Sequence, residues 1–250
     1  MSERPIAVDF HCHLDLYPDF EEIIAECEKL RVLTLAVTTI PAAFERNLQL
    51  TENLNFVRAA LGLHPQLVAE RGHEFELFER LLPKTRFVGE IGLDASPRHY
   101  RSFEKQREIF TRILQSCAQV GDKVLSIHST RATKHVLNAL ECNLNGTNVG
   151  PVLHWFTGSL SEMKRGVELG CYFSINGEML SRERHVKMIR EIPIGRILTE
   201  TDGPFVATAG DVPVRPYQVA STIERLADIV GLSENELRTQ IFRNAETLWQ

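Results

Sequence analysis

His11 and His13 are separated by a single residue, Cys12. On a β-strand, residues two apart face the same way, so both imidazoles project together while Cys12 points to the other side. Two neutral imidazoles on one face suit a divalent cation. Residues of the same ligand type recur wherever an apolar run stops. His64 follows Leu61-Gly62-Leu63, and Glu90 sits within Val88-Gly89-Glu90-Ile91-Gly92-Leu93-Asp94. His128 follows Leu125-Ser126-Ile127, His154 follows Val152-Leu153, and Asp202 follows Leu198-Thr199-Glu200-Thr201. Five of the nine histidines belong to this set. The others, His73, His99, His135 and His185, fall in helical or loop stretches where surface histidines are expected. Packing gives an apolar strand no reason to end repeatedly in His, Glu or Asp.

The ligand types set the chemistry. Imidazole and carboxylate suit zinc, manganese, cobalt or iron, and magnesium accepts the carboxylates together with water. His11 and His13 could hold one cation, and His128 and His154 another. Glu90 has two oxygens and could bridge them. Asp202 could hold a water and take its proton. Two cations about 3.5–4 Å apart clamp both the attacking and the leaving oxygen of a phosphodiester.

These residues need a scaffold that brings strand ends together. Eight β-type runs stand out: 7–12, 32–39, 57–63, 87–93, 123–128, 151–156, 171–176 and 196–201. Helical patterns alternate with them. Phe110, Ile113, Leu114 and Cys117 keep i, i+3, i+4, i+7 spacing, as do Val219, Ile223, Leu226, Ala227 and Val230. Asp19 to Glu22, Ser159 to Glu162 and Ser233 to Glu236 have the spacing of capping boxes. Gly121, Gly170 and Gly231 stand where helices end. The pattern predicts an α/β fold, an eight-stranded parallel β/α (TIM) barrel. An open doubly wound sheet is the alternative. Polar residues at the C-terminal strand ends favour the barrel, whose active sites lie at that face. The chain of 250 residues suffices for one such domain, expected over residues 1–250.

Bulk properties narrow the partners. With 43% hydrophobic and 24% charged residues, the chain is neither disordered nor fibrous. Its formal net charge of −5 argues against a protein that coats duplex DNA with a basic face. It does not argue against an enzyme that grips phosphates through bound cations. The longest nearly apolar stretch, around Val32 to Val37, is far too short to span a membrane. Met1 to Pro5 is charged with no apolar run behind it, which predicts no secretory signal and a cytoplasmic protein. Cys12, Cys27, Cys117, Cys142 and Cys171 form no C-x-x-C and read as reduced thiols.

Taken together, six segments resemble the TatD family of metal-dependent deoxyribonucleases, within the amidohydrolase-like barrels. They are Asp9-Phe10-His11-Cys12-His13-Leu14-Asp15, Gly62-Leu63-His64-Pro65, Gly89-Glu90-Ile91-Gly92-Leu93-Asp94, Ile127-His128-Ser129, Val152-Leu153-His154-Trp155-Phe156-Thr157-Gly158 and Thr199-Glu200-Thr201-Asp202-Gly203-Pro204. The likeness runs in order to Phe242-Arg243-Asn244-Ala245. Within the family the chain most resembles the TatD-type nucleases of Qat anti-phage defence operons.

The resemblance implies a two-metal phosphodiesterase acting on DNA, often a 3′–5′ exonuclease on single strands or DNA ends. It implies His11, His13, Glu90, His128, His154 and Asp202 as ligands of two divalent cations, Mg²⁺, Mn²⁺ or Zn²⁺. It also implies Asp202 and Glu90 as catalytic groups and His64 as a contact to the substrate phosphate. Other proteins of a defence operon are implied as partners. The sequence departs from the family at Ala95, in place of a common aromatic residue, and at Ser126, in place of Pro. Trp155 replaces a common Cys, and Thr130 precedes Arg131 where an Arg usually follows the histidine closely. No departure removes a ligand. They bear on the groove that takes substrate.

Several residues keep two readings. Arg131 could bind a substrate phosphate or begin a helix in solvent. Trp155 and Phe156 could stack on a base or pack in the core. The loops 98–101 and 182–185 could gather positive charge near the site or be solvated. Asp9, Asp94 and Glu200 could orient ligands or fill the interior. Two other functions fit the same ligands: amide or ester hydrolysis of a small molecule, and a non-catalytic subunit with metals kept for stability.

Overall fold

A computed structural model describes residues 4–208 and 210–249. All eight expected strands form; β1 keeps its expected bounds, β6 begins one residue earlier and ends two earlier, and the other six are shorter by one to three residues. They are β1 Ala7–Cys12, β2 Val32–Val37, β3 Val57–Ala60, β4 Phe87–Gly92, β5 Val124–His128, β6 Gly150–His154, β7 Tyr172–Ile175 and β8 Ile197–Thr199. Strands β1-β2-β3 make one parallel sheet and β4-β5-β6-β7-β8 another. An isolated parallel bridge from Leu61 to Val88 joins β3 to β4. At the other edge β8 and its extension meet β1. Thr199 Oγ1 donates to Val8 O at 2.6 Å, and Asp202 N donates to His11 O at 2.9 Å.

The main helices between and after the strands are α1 Phe20–Leu30, α2 Pro41–Thr51, α3 Val68–Arg71, α4 Phe75–Leu81, α5 Phe103–Val120, α6 Thr133–Leu144, α7 Leu160–Glu168, α8 Glu183–Ile189, α9 Val219–Val230 and α10 Glu234–Trp249. Their apolar stripes pack on the strands. Phe110, Ile113, Leu114 and Cys117 of α5 are buried, as are Val219, Ile223, Leu226 and Ala227 of α9. Strand parity separates two environments. In β1, Phe10 packs edge-on against Trp249 of α10, with ring centroids 6.1 Å apart. Asp9 and His11, on the other face, enter a polar interior. There Asp9 Oδ1 accepts from Thr201 N at 2.8 Å, and Ser126 Oγ lies 2.7 Å from His11 Nδ1. No helix among the described residues is long and apolar enough to cross a membrane.

Local signals match in part. Ser159 and Glu162 form the expected capping box on α7, and Ser233 and Glu236 exchange the same bonds before α10. Asp19 does not cap α1; its carboxylate pairs with Arg215 instead. A cation 196 positions away in sequence outcompetes the helix amides for that carboxylate, which spacing could not show. Gly121, Gly170 and Gly231 all have positive φ, as helix ends require.

Gly92 matters most for the site, because it sits between Glu90 and Asp94 with φ of 136°. A Cβ there would lie 2.1 Å from His128 O. The contact is with backbone, so β5 itself would have to move. Gly92→Ala is therefore expected to cost about 3 kcal/mol or more in urea unfolding. Gly146→Ala, at a positive φ with no neighbour within 4 Å, is expected to cost only about 1 kcal/mol. Equal costs at the two positions would contradict this packing.

Candidate metal centre

The strand ends deliver their polar side chains to one point, the carboxylate of Glu90. His128 Nδ1 and His154 Nε2 lie 2.8 and 2.9 Å from Glu90 Oε1. His13, His64 and His11 present their Nε2 atoms to Oε2 at 3.1, 3.2 and 3.5 Å. Glu90 is only 2% exposed. Asp202 enters from the chain after β8, with Oδ1 3.5 Å from His11 Nε2 and 3.7 Å from His13 Nε2. Asp202 has a left-handed φ of 51°, which carboxamide and carboxylate residues tolerate better than others. Its backbone N–H donating to His11 O, together with His13 N donating to Gly203 O at 2.8 Å, fixes this turn against β1.

A layer of polar groups holds the rings. If His11 Nδ1 donates to Ser126 Oγ, Nε2 keeps its lone pair for the centre. The Ser126 departure thus lies under the metal centre and away from the groove. Asp94 Oδ2 lies 3.2 Å from His128 Nε2 and accepts from Gln66 Nε2 at 2.7 Å. Glu200 Oε1 is 3.7 Å from His154 Nδ1 and accepts from Trp155 N at 3.0 Å and Asn176 Nδ2 at 2.9 Å. Glu200 and Asp94 therefore both brace ligand-type histidines. Asp9 bonds to Thr201 and the His11 amide, and serves the backbone.

Charge in this cage is tightly coupled. Burial pushes the Glu90 carboxyl up, but His64, His154 and the bonds from His11 and His128 outweigh it and hold it well below the usual carboxylate range. Burial likewise opposes charge on His154, yet Glu90 and Glu200 raise it well above an ordinary imidazole. His128 is raised, because Asp94 and Glu90 outweigh burial. Burial and the neighbouring His154 keep His11 well below the usual range, and burial lowers His64. Burial pushes Asp202 up to about 7.

The donor set fits divalent cations. Ligand atoms of His11, His13 and Asp202 lie within 4.8 Å of one another, as do those of His64, Glu90 and His128, and of His11, His154 and Glu200. Asp202 Oδ1 and His13 Nδ1 are buried without a hydrogen-bond partner among the described residues. The expected grouping of His128 with His154 is looser than the one between His128 and His64. His154 instead stacks on His11, with ring centroids 3.8 Å apart, although its Nε2 still reaches Glu90.

Above the centre opens a cavity of about 630 Å³, lined by His13, His64, Glu90, His128, His154 and Asp202 of the cage. Leu16, Leu67, Trp155 and Phe205 add apolar surface, and Gln66, Glu178, Arg182 and His185 add polar groups. Phe156 is fully buried against Phe173, while Trp155 is part-buried at the lining. Arg131 is exposed and lies outside the lining. His185, expected at the surface, is 8% exposed and lines the cavity. His185 lies in α8 on the face it shares with buried Met188 and Ile189, at i, i+3, i+4 spacing, and the charge after the seventh strand pointed toward Arg182.

Known proteins resemble this chain in sequence and fold. The family model for TatD-related DNases matches residues 8–250. The chain belongs to that family. A putative deoxyribonuclease TATDN3 of Mus musculus is 30% identical over 97% of this chain and 87% of its own length. The uncharacterized metal-dependent hydrolase YjjV of Escherichia coli is 30% identical over 97% of each chain. The crystal structure of this TatD homologue superposes with a TM-score of 0.86, covering 97% of both chains at 28% identity. The protein is thus an enzyme of the TatD deoxyribonuclease type, a metal-dependent hydrolase.

Proton binding and cation binding compete in this cage. Asp202, His128 and His154 all hold protons to higher pH than usual, and each must release its proton to serve a cation. Below about pH 7 Asp202 is protonated in the metal-free protein, and above it the carboxylate is free. Mn²⁺ affinity is therefore expected to rise with pH, by up to about tenfold per pH unit for the Asp202 proton below about pH 7, that contribution levelling off above it. Titration calorimetry in two buffers of different ionisation enthalpy should show net proton release. A pH-independent affinity without proton release would contradict this electrostatic account.

Proposed function

We propose that the enzyme is a divalent-metal-dependent deoxyribonuclease that shortens single-stranded DNA from its ends in the 3′–5′ direction. In this reading His11, His13, Glu90, His128, His154 and Asp202 are the metal ligands, and residues 1–250 form one closed eight-stranded β/α barrel. The observation that carries it is the set of five imidazoles within 3.5 Å of the Glu90 carboxylate, at the floor of an open cavity. The Leu61–Val88 bridge and the Thr199–Val8 bond support closure of the barrel, since they join both pairs of sheet edges.

Two cations held there, Mg²⁺, Mn²⁺ or Zn²⁺, would offset charge on the phosphate oxygens and make a water more acidic. Asp202 then accepts the proton of the attacking water. Its Oδ1 has no hydrogen-bond partner among the described residues and faces His11 and His13 at 3.5 and 3.7 Å, where a bound water would be held. Glu90 bridges the two halves of the cage through its two oxygens. His64 stands on the cavity side of Glu90 and binds the substrate phosphate. Trp155 and Phe205 offer faces for unstacked bases, each stack being worth about 1–3 kcal/mol, and Leu16 and Leu67 add apolar contact. A cavity of about 630 Å³ has the size of a small-ligand site, which a splayed strand end enters and a stacked duplex does not. Arg131 would meet phosphates only outside that cavity.

Cytoplasmic residence belongs to the same reading, and the free cysteines agree with a reducing compartment. A role in anti-phage defence, beside other proteins of such an operon, rests on the motif resemblance.

End-labelled single-stranded and duplex DNA, with Mg²⁺ or Mn²⁺ and with chelator, tests the activity. Stepwise loss from the 3′ end of single strands is expected, abolished by chelator and reduced about 10²–10⁴-fold in Asp202→Asn. Metal-loaded protein that cleaves no DNA would sink the reading and turn attention to amide substrates.

A further inference from the structure

Arg182 and His185 share the cavity with the metal centre but take no part in it. Both follow β7, Arg182 just before α8 and His185 within it. His185 is 8% exposed, and its Nδ1 is buried with no hydrogen-bond partner among the described residues. A buried polar atom of this kind is costly unless a ligand meets it. Arg182 is exposed, and among the described residues its guanidinium forms no ion pair or hydrogen bond.

The nearby acids do not claim Arg182. Glu183 pairs with Lys187 at 2.7 Å. Glu178 also lines the cavity but makes no ion pair with Arg182. The surroundings are otherwise basic. Arg225 of α9 reaches Ser181 Oγ at 3.3 Å, and Arg184 lies in the same turn as His185. Burial, then Arg182 and Arg184, keep the His185 imidazole below its ordinary range, so it is neutral and able to donate from one ring nitrogen.

We propose that Arg182 and His185 form a second anion site, which grips a substrate phosphate adjacent to the one at the metal centre. The guanidinium fork engages two phosphate oxygens, and the imidazole N–H donates to one of them. The proposal rests on the phosphodiesterase reading of the cage. It predicts that a nucleotide bearing phosphate on both sides of its sugar binds better than one bearing phosphate on one side.

The test is titration calorimetry on the Mn²⁺-loaded enzyme with thymidine 3′,5′-bisphosphate, thymidine 5′-monophosphate and thymidine 3′-monophosphate. The bisphosphate is expected to bind about tenfold more tightly than either monophosphate, as one extra charge-assisted contact allows. Arg182→Gln, at an exposed position where folding is not at stake, should cut that gain to less than about twofold, and His185→Gln should reduce it. Arg184→Gln, exposed and outside the lining, should keep it. No gain in the wild-type enzyme, or a gain that survives Arg182→Gln, would overturn the proposal. A bisphosphate gain without cleavage of any oligonucleotide would leave the anion site standing and sink the deoxyribonuclease reading. Cleavage without the gain would do the reverse.

Discussion

A carboxylate withdrawn from water and ringed by imidazoles must be compensated, either by protons on those rings or by cations among them. Glu90 is that carboxylate, and the surrounding structure is organised to meet its demand. Each histidine that touches it comes from the C-terminal end of a different strand or from the chain just beyond, except His11 and His13, which share one. The polar residues below the cage set ring orientation: Ser126 at His11, Asp94 at His128 and Glu200 at His154. Their removal would loosen the rings without touching a ligand atom, which is how such partners tune a metal site.

The same constraint explains why the backbone is so tightly determined where β1 meets the end of β8. Asp202 must reach His11 and His13 while its own chain turns away toward Pro204. Amide bonds between the two segments and the carboxylate of Asp9 on Thr201 hold that turn in place. Gly92 plays a matching part between β4 and β5, where His128 O leaves no room for a side chain. Ring orientation and backbone packing are thus one cooperative arrangement, and the cavity above inherits its shape from it.

Much of this was legible in the sequence because strands and ligands obey simple periods. Parity placed His11 and His13 on one face, and the recurrence of His, Glu and Asp after apolar runs marked the other strand ends. Helix stripes and two capping boxes followed from spacing in the same way. What escaped depends on contacts between distant segments. Asp19 prefers Arg215 to its own helix, His154 leans on His11 and Glu200, and His185 turns inward on the face it shares with Met188 and Ile189, although its polar type favours the surface. Phe205 reaches the cavity from irregular chain and Leu16 from a single 3₁₀ turn, where type and spacing carry little information about direction.

Anomalous diffraction at the manganese edge, from crystals grown with Mn²⁺, tests the central claim most directly. The account predicts two peaks about 3.5–4 Å apart flanking Glu90, one in reach of His11, His13 and Asp202 and the other in reach of His128 and His154. Absence of any peak in contact with Glu90, at saturating Mn²⁺, would contradict it.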